Sequence, residues 1–115
     1  MSRSDGWSEL MHRIDALLAD HIADLDLTVA TVAHAVGVTE CELRRITSEK
    51  DVDVQRWIVG ARLSRARHDL MSAPVEPDAV FAREHGFRDL AALAVAFTTT
   101  YGLTPYAWWA MRAEG

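Results

Sequence analysis

Cysteine is almost missing from this chain. Cys41 stands alone among 115 residues, so no internal disulfide can form, and a secreted scaffold stapled by bridges is a poor match. No apolar run approaches the roughly 20 residues of a membrane span, and no cleavable signal pattern opens the chain. These absences set the expectation of a cytoplasmic protein with no membrane partner. The five histidines, His12, His21, His34, His68 and His85, are scattered, and none pairs with Cys41 at a zinc-ligand spacing. A phosphate-cradling glycine loop, a nucleophile elbow and paired carboxylates in an apolar setting are missing too. The expectation is no enzyme, no metal, no cofactor and no small-molecule ligand. Lysine is nearly absent as well: Lys50 is the only one, and arginine supplies the remaining cations, which favours fixed, fork-shaped donors over mobile point charges.

What is present is ordinary for a globular domain: half the residues are apolar and a quarter charged, far from the composition of a disordered segment. The formal net charge of −5 speaks against generic affinity for nucleic acid, which depends on neutralising phosphates. The distribution matters more than the sum. Residues 1–26 carry two arginines against six acids, residues 27–71 seven cations against six acids, and residues 72–115 three arginines against five acids. Cationic character is therefore concentrated in the middle third.

The segments between turn signals have a helical period, and none alternates as a strand. Leu10, Ile14, Leu17, Leu18 and Ile22 fall at three- and four-residue steps and predict an amphipathic first helix. Its acids Asp15, Asp20, Asp24 and Asp26 are then a solvated outer face. A short second helix is predicted over Leu27–Val36, capped by Thr28 and stopped by Gly37. Thr39 and Glu42 have the spacing of a capping box and open a third helix to about Lys50. Asp53 caps the longest helix, about Val54–Met71, with Trp57, Ile58, Ala61, Leu63, Ala66 and Leu70 as its apolar positions. Pro74 breaks the pattern, and Pro77 suits the first turn of a fifth helix ending at Gly86. Asp89 caps a sixth helix to about Thr99, closed by Gly102, and Thr104-Pro105 opens a seventh carrying Tyr106, Trp108, Trp109 and Met111.

A weak repeat runs through this pattern. Val32–Val38 aligns with Phe81–Phe87 at an offset of 49 residues, each a short helix, a glycine-bearing turn and a longer helix. The predicted architecture is all-α, about seven helices, with two helix-turn-helix subdomains joined by a long central helix. A single domain over 1–115 is expected, its first unit at about 8–52, its connecting helix at 54–71 and its second unit at 76–112.

Over about Leu17–Arg112 the sequence resembles the DNA-binding domain of AraC/XylS transcription regulators. The matching residues are Leu27–Ala33, Gly37-Val38-Thr39 and Leu43, then Trp57-Ile58 and Arg62–Met71. In the second unit they are Ala82, Gly86-Phe87, Leu93, Phe97 and Tyr101–Tyr106. The resemblance implies two helix-turn-helix units about one DNA turn apart, each placing its second helix in a major groove. It also implies double-stranded DNA as partner and puts Tyr106 in the core. Many members carry a separate sensing or dimerisation domain. None fits here, so the chain reads as a stand-alone DNA-binding domain or an excised one.

Carried over by position, the resemblance puts the first unit's base-reading face at Cys41, Arg44 and Arg45, with Thr39 near the backbone. A guanidinium can pair bidentately with guanine or clamp a phosphate, and DNA contact is the favoured reading of Arg44 and Arg45. Glu40, Glu42 and Glu49 share the helix, so the alternative is two solvated arginines paired with those glutamates. The second unit departs from the pattern. Its reading positions fall on Leu90, Ala91, Ala92, Ala94 and Val95, where no side chain can hydrogen-bond. Three accounts stay open: contact with thymine methyls and backbone alone, a head that has lost its function, or a face at Leu90, Ala91, Ala94 and Val95 covered by another protein or a second copy. The leading expectation is a transcription regulator binding DNA chiefly through the first unit, with a protein-interaction module as the alternative.

Overall fold

The computed structural model describes residues 3–112; the ends of the expected domain, residues 1–2 and 113–115, lie outside the described residues. These residues form seven helices and no strand: α1 (Arg3–His21), α2 (Val29–Ala35), α3 (Glu40–Ser48), α4 (Val54–Leu70), α5 (Ala79–Glu84), α6 (Leu90–Tyr101) and α7 (Pro105–Arg112). The all-α expectation holds. None of these helices is long and apolar enough to cross a membrane. The chain divides into two compact units, one comprising the residues up to Ile22 with Asp26–Ile58, the other Ala23–Leu25 with the residues from Val59 onward.

Side-chain caps set most of the helix starts. Thr28 and Thr31 make a reciprocal box at the head of α2, each hydroxyl accepting the other's amide at 3.3 and 2.8 Å. Thr39 accepts the Glu42 amide at 3.1 Å and gives its own proton to the Glu42 carboxylate. Asp53, Asp89 and Thr104 accept the amides of Arg56, Ala92 and Ala107. Each bond satisfies a donor that the first helical turn leaves orphaned. One start differs from the expectation. Pro77 is not in the first turn of α5; it is buried ahead of it, and Asp78 is the cap, accepting from the Phe81 amide at 2.9 Å. Similarly, α1 ends at His21, so Asp24 and Asp26 lie beyond it rather than on its outer face.

Both units turn on the same backbone device. Gly37 and Gly86 have φ of 82° and 83°, in the left-handed region where a side chain is strained. The Val38 amide donates to the Ala33 carbonyl at 3.0 Å, and the Phe87 amide to the Ala82 carbonyl at 2.9 Å. This six-to-one closure is the Schellman arrangement, repeated at the 49-residue offset seen in the sequence. A Cβ on Gly37 would meet no atom within 4 Å, so only backbone strain opposes it. Gly37→Ala should cost about 1–2 kcal/mol, read as a lower urea midpoint at unchanged m-value; an unshifted midpoint would refute the strain argument.

In the first unit α2 packs on α3, and Ile14, Leu18, Val32, Leu43 and Ile58 are fully buried. In the second, α5 packs on α6 and α6 on α7, around a core of Leu63, Ala66, Leu70, Ala82, Phe87, Leu93 and Phe97. Trp108 and Trp109 pack against that core as expected of the aromatic tail. Tyr106 does not: it is 55% exposed, correcting the core position that the family resemblance implied.

Polar contacts brace the second unit. Arg62 is buried and donates to the Asp24 carbonyl at 2.7 Å. Burial pulls its guanidinium below the usual arginine value, and the Asp24 charge opposes that shift. His85, the C-cap of α5, has Nδ1 2.8 Å from the Phe81 carbonyl oxygen and Nε2 2.7 Å from Asp69 Oδ2. Burial pushes the Asp69 carboxyl up, but the hydrogen bond and charge of His85, with Arg65 beside it, outweigh this and hold it below the ordinary carboxylate value. The buried turn that aims α6 is thereby tied to α4.

Candidate nucleic-acid interface

Burial sorts α3 into two faces. Leu43 and Thr47 point inward, Thr47 giving its hydroxyl proton to the Leu43 carbonyl at 2.9 Å. Cys41, Arg44, Arg45 and Ser48 are exposed and lie at steps of three, four and seven residues, which is one side of a helix. The structure therefore gathers the expected Cys41, Arg44 and Arg45 into one outward stripe. It adds Ser48, which position-by-position matching to the family does not pick out, although its spacing from Arg44 and Arg45 is the available signal. Thr39 stands at the helix start, its hydroxyl already engaged with Glu42.

The two arginines are not equivalent. Arg44 Nη2 is 2.9 Å from Glu40 Oε1, an i,i+4 ion pair with side chains 59% and 46% exposed. Arg45 is exposed and joins no ion pair among the described residues. An exposed helical pair contributes only about 0.3–0.5 kcal/mol, so Arg44 can exchange Glu40 for a phosphate or a guanine at small cost. Of the middle-third cations, Arg62 is withdrawn into the second unit, Arg65 lies 3.4 Å from Asp69, and Arg67 rests over the Tyr101 ring at 5.1 Å. On α3, by contrast, Arg44 and Arg45 are both exposed and share one side of a single helix.

The second reading helix repeats this layout in a different register. Leu93 and Phe97 are its buried positions, matching Leu43 and Thr47 at an offset of 50 rather than 49, because the turn from Gly86 to the Asp89 cap is one residue longer than that from Gly37 to Thr39. The outward stripe is then Ala91, Ala94, Val95 and Thr98, in the places of Cys41, Arg44, Arg45 and Ser48. Ala91 and Thr98 are exposed, Ala94 half-buried, and Val95 69% exposed. Ala92, counted among the reading positions on sequence, instead packs against the core. Leu90 begins the helix and is partly exposed. Arg83 and Arg88 are exposed on the elements leading into α6, outside any ion pair among the described residues.

Among the described residues no group of three His, Cys, Asp or Glu side chains gathers into a metal-binding cluster. A scan against protein-family models finds none that matches the chain. It is 24% identical over 98 residues to the transcriptional activator NphR of a Rhodococcus species, a match covering 85% of this chain and 29% of that protein. The chain thus spans less than a third of the length of that relative. Among solved structures it superposes on a DNA-binding transcriptional dual regulator of Escherichia coli K-12 with a TM-score of 0.80 at 19% identity, covering 92% of this chain and 94% of that one. A transcriptional regulator of Chromobacterium violaceum, described as AraC-type and DNA-binding, gives a TM-score of 0.80 at 21% identity over 96% and 97% of the two chains. The C-terminal domain of AraT, a response regulator of Geobacillus stearothermophilus, gives 0.79 at 22% identity over 89% and 84%. The fold is that of the AraC-type DNA-binding domains.

Proposed function

We propose that this chain acts as an AraC-type transcription regulator and binds double-stranded DNA chiefly through α3. The observation that carries the reading is the exposed stripe of Cys41, Arg44, Arg45 and Ser48 on the second helix of a helix-turn-helix, with Arg45 uncommitted to any acid among the described residues. Arg44 and Arg45 contact guanine edges or phosphates, Cys41 faces a base edge, and Thr39 with Ser48 lies near the phosphate backbone. Glu40 and Glu42 flank this face and repel phosphate, which favours selective over indiscriminate binding. The likeness of fold to regulators described as DNA-binding supports the same reading. The role proposed is regulatory.

Selection from random duplexes at low salt tests it. A defined sequence should be enriched, and its affinity should fall with salt at a logarithmic slope of about −0.9 per neutralised phosphate. Two phosphates already give about a tenfold loss between 50 and 200 mM. No enrichment, or affinity indifferent to salt, defeats the reading.

A further inference from the structure

We infer that α6 reads DNA through thymine methyl groups. The inference rests on the proposed function and adds the base specificity of the second helix. The stripe of α6 that occupies the register of the α3 reading face is Ala91, Ala94, Val95 and Thr98. The only side-chain polar atom in it is the Thr98 hydroxyl, at its far end. No donor or acceptor faces the positions where Arg44 and Arg45 stand on α3. Such a face cannot distinguish guanine from adenine by hydrogen bonding. The one apolar feature in the major groove is the thymine C5-methyl, and alanine or a threonine methyl is its usual partner.

Two further observations favour DNA over a protein as the occupant. The residues are small: apart from Val95, the apolar side chains of the stripe are alanines, with Leu90 exposed beside them at the helix start, which lets the helix approach base edges closely but offers little area to an interface. The chain leading into the helix also carries Arg83 and Arg88, both exposed and outside any ion pair among the described residues, a charge complement to phosphate. Glu84 and Asp89 lie beside them, and Asp89 is occupied in capping α6 through the Ala92 amide at 2.8 Å.

The test replaces each thymine of the selected duplex in turn by deoxyuridine, which keeps every hydrogen bond and removes only the methyl. At one or more positions the dissociation constant should rise about fourfold, the value of burying a single methyl group. Val95→Ser should abolish the thymine-over-uracil preference there, whereas Arg45→Ala should leave that ratio intact while weakening binding overall. Val95 is largely exposed, so the variant should fold as the parent does, which circular dichroism checks. A duplex that binds equally well with every thymine replaced overturns the inference and leaves the proposed function standing. The inference is equally overturned if Val95→Ser leaves the preference unchanged, or if sedimentation shows a dimer that Val95→Asp dissolves. If no duplex is enriched at all, the proposed function fails first and this inference with it.

Discussion

Phe97→Ala should destabilise the second unit by about 3–5 kcal/mol, the range for deleting a fully buried aromatic side chain. Phe97 is fully buried. Its ring meets Tyr101 edge-on at 4.7 Å and Trp108 at 6.2 Å between centroids, contacts that add to simple area burial. α6 cannot collapse into the gap, because Leu93 fixes its inner face one turn away. A domain of this size has only about 5–15 kcal/mol of total stability, so the loss should appear as early unfolding in urea, followed by tryptophan fluorescence, to which Trp108 and Trp109 of this unit contribute alongside Trp7 and Trp57. Phe97→Leu keeps most of the volume and should cost less than half as much. If the alanine variant loses under about 1.5 kcal/mol, well below that range, the residue does not anchor the unit as argued.

The corresponding place in the first unit is Thr47, buried and bonded to the Leu43 carbonyl. This asymmetry illustrates what the sequence makes legible. Thr28, Thr39, Asp53 and Asp89 declare helix starts because a short polar side chain before an apolar period has one local use, and Gly37, Gly86 and Gly102 declare stops because each takes a positive φ. Other features are not local. Asp51 follows α3 in the left-handed region, with φ of 56° and the Val52 amide bonded to the Thr47 carbonyl, a role aspartate fills too rarely to announce. Pro77 and Asp78 compete for the start of α5, and the carboxylate wins because it supplies an acceptor that proline lacks. The pairing of Asp69 with His85 joins residues 16 apart in the chain, and Arg62 is held by a backbone carbonyl 38 positions away. Neither leaves a periodic trace. Ala92 is counted among the reading positions on sequence because an alanine does not declare which face of a helix it takes, whereas burial of Leu93 and Phe97 fixes the helix rotation and packs Ala92 against the core. The α3 stripe is legible because charge sits on it, and Ser48 is silent because it carries none.

Arg45→Ala should lower affinity for a selected duplex by about 1–3 kcal/mol, or roughly 5- to 150-fold, the worth of one good bidentate contact. Arg44→Ala should cost somewhat less, because binding DNA through Arg44 first requires giving up the 2.9 Å pair with Glu40. The double variant should lose specific binding altogether, leaving only weak, salt-sensitive association. Glu40→Gln sharpens the argument by acting in the opposite direction. It frees Arg44 and removes a charge that repels phosphate, so affinity for unrelated duplexes should rise several-fold, while helix stability falls by a few tenths of a kcal/mol through loss of a favourable charge in the first turn. Glu40, Arg44 and Arg45 are all exposed, so the variants should melt close to the parent, and a change in binding is then a change in contact rather than in folding. Fluorescence anisotropy against the selected duplex and a scrambled one, at two salt concentrations, separates these outcomes. A double Arg44→Ala, Arg45→Ala variant that still binds the selected duplex at parental affinity would remove α3 as the reading helix, because these two are the only cations in its outward stripe.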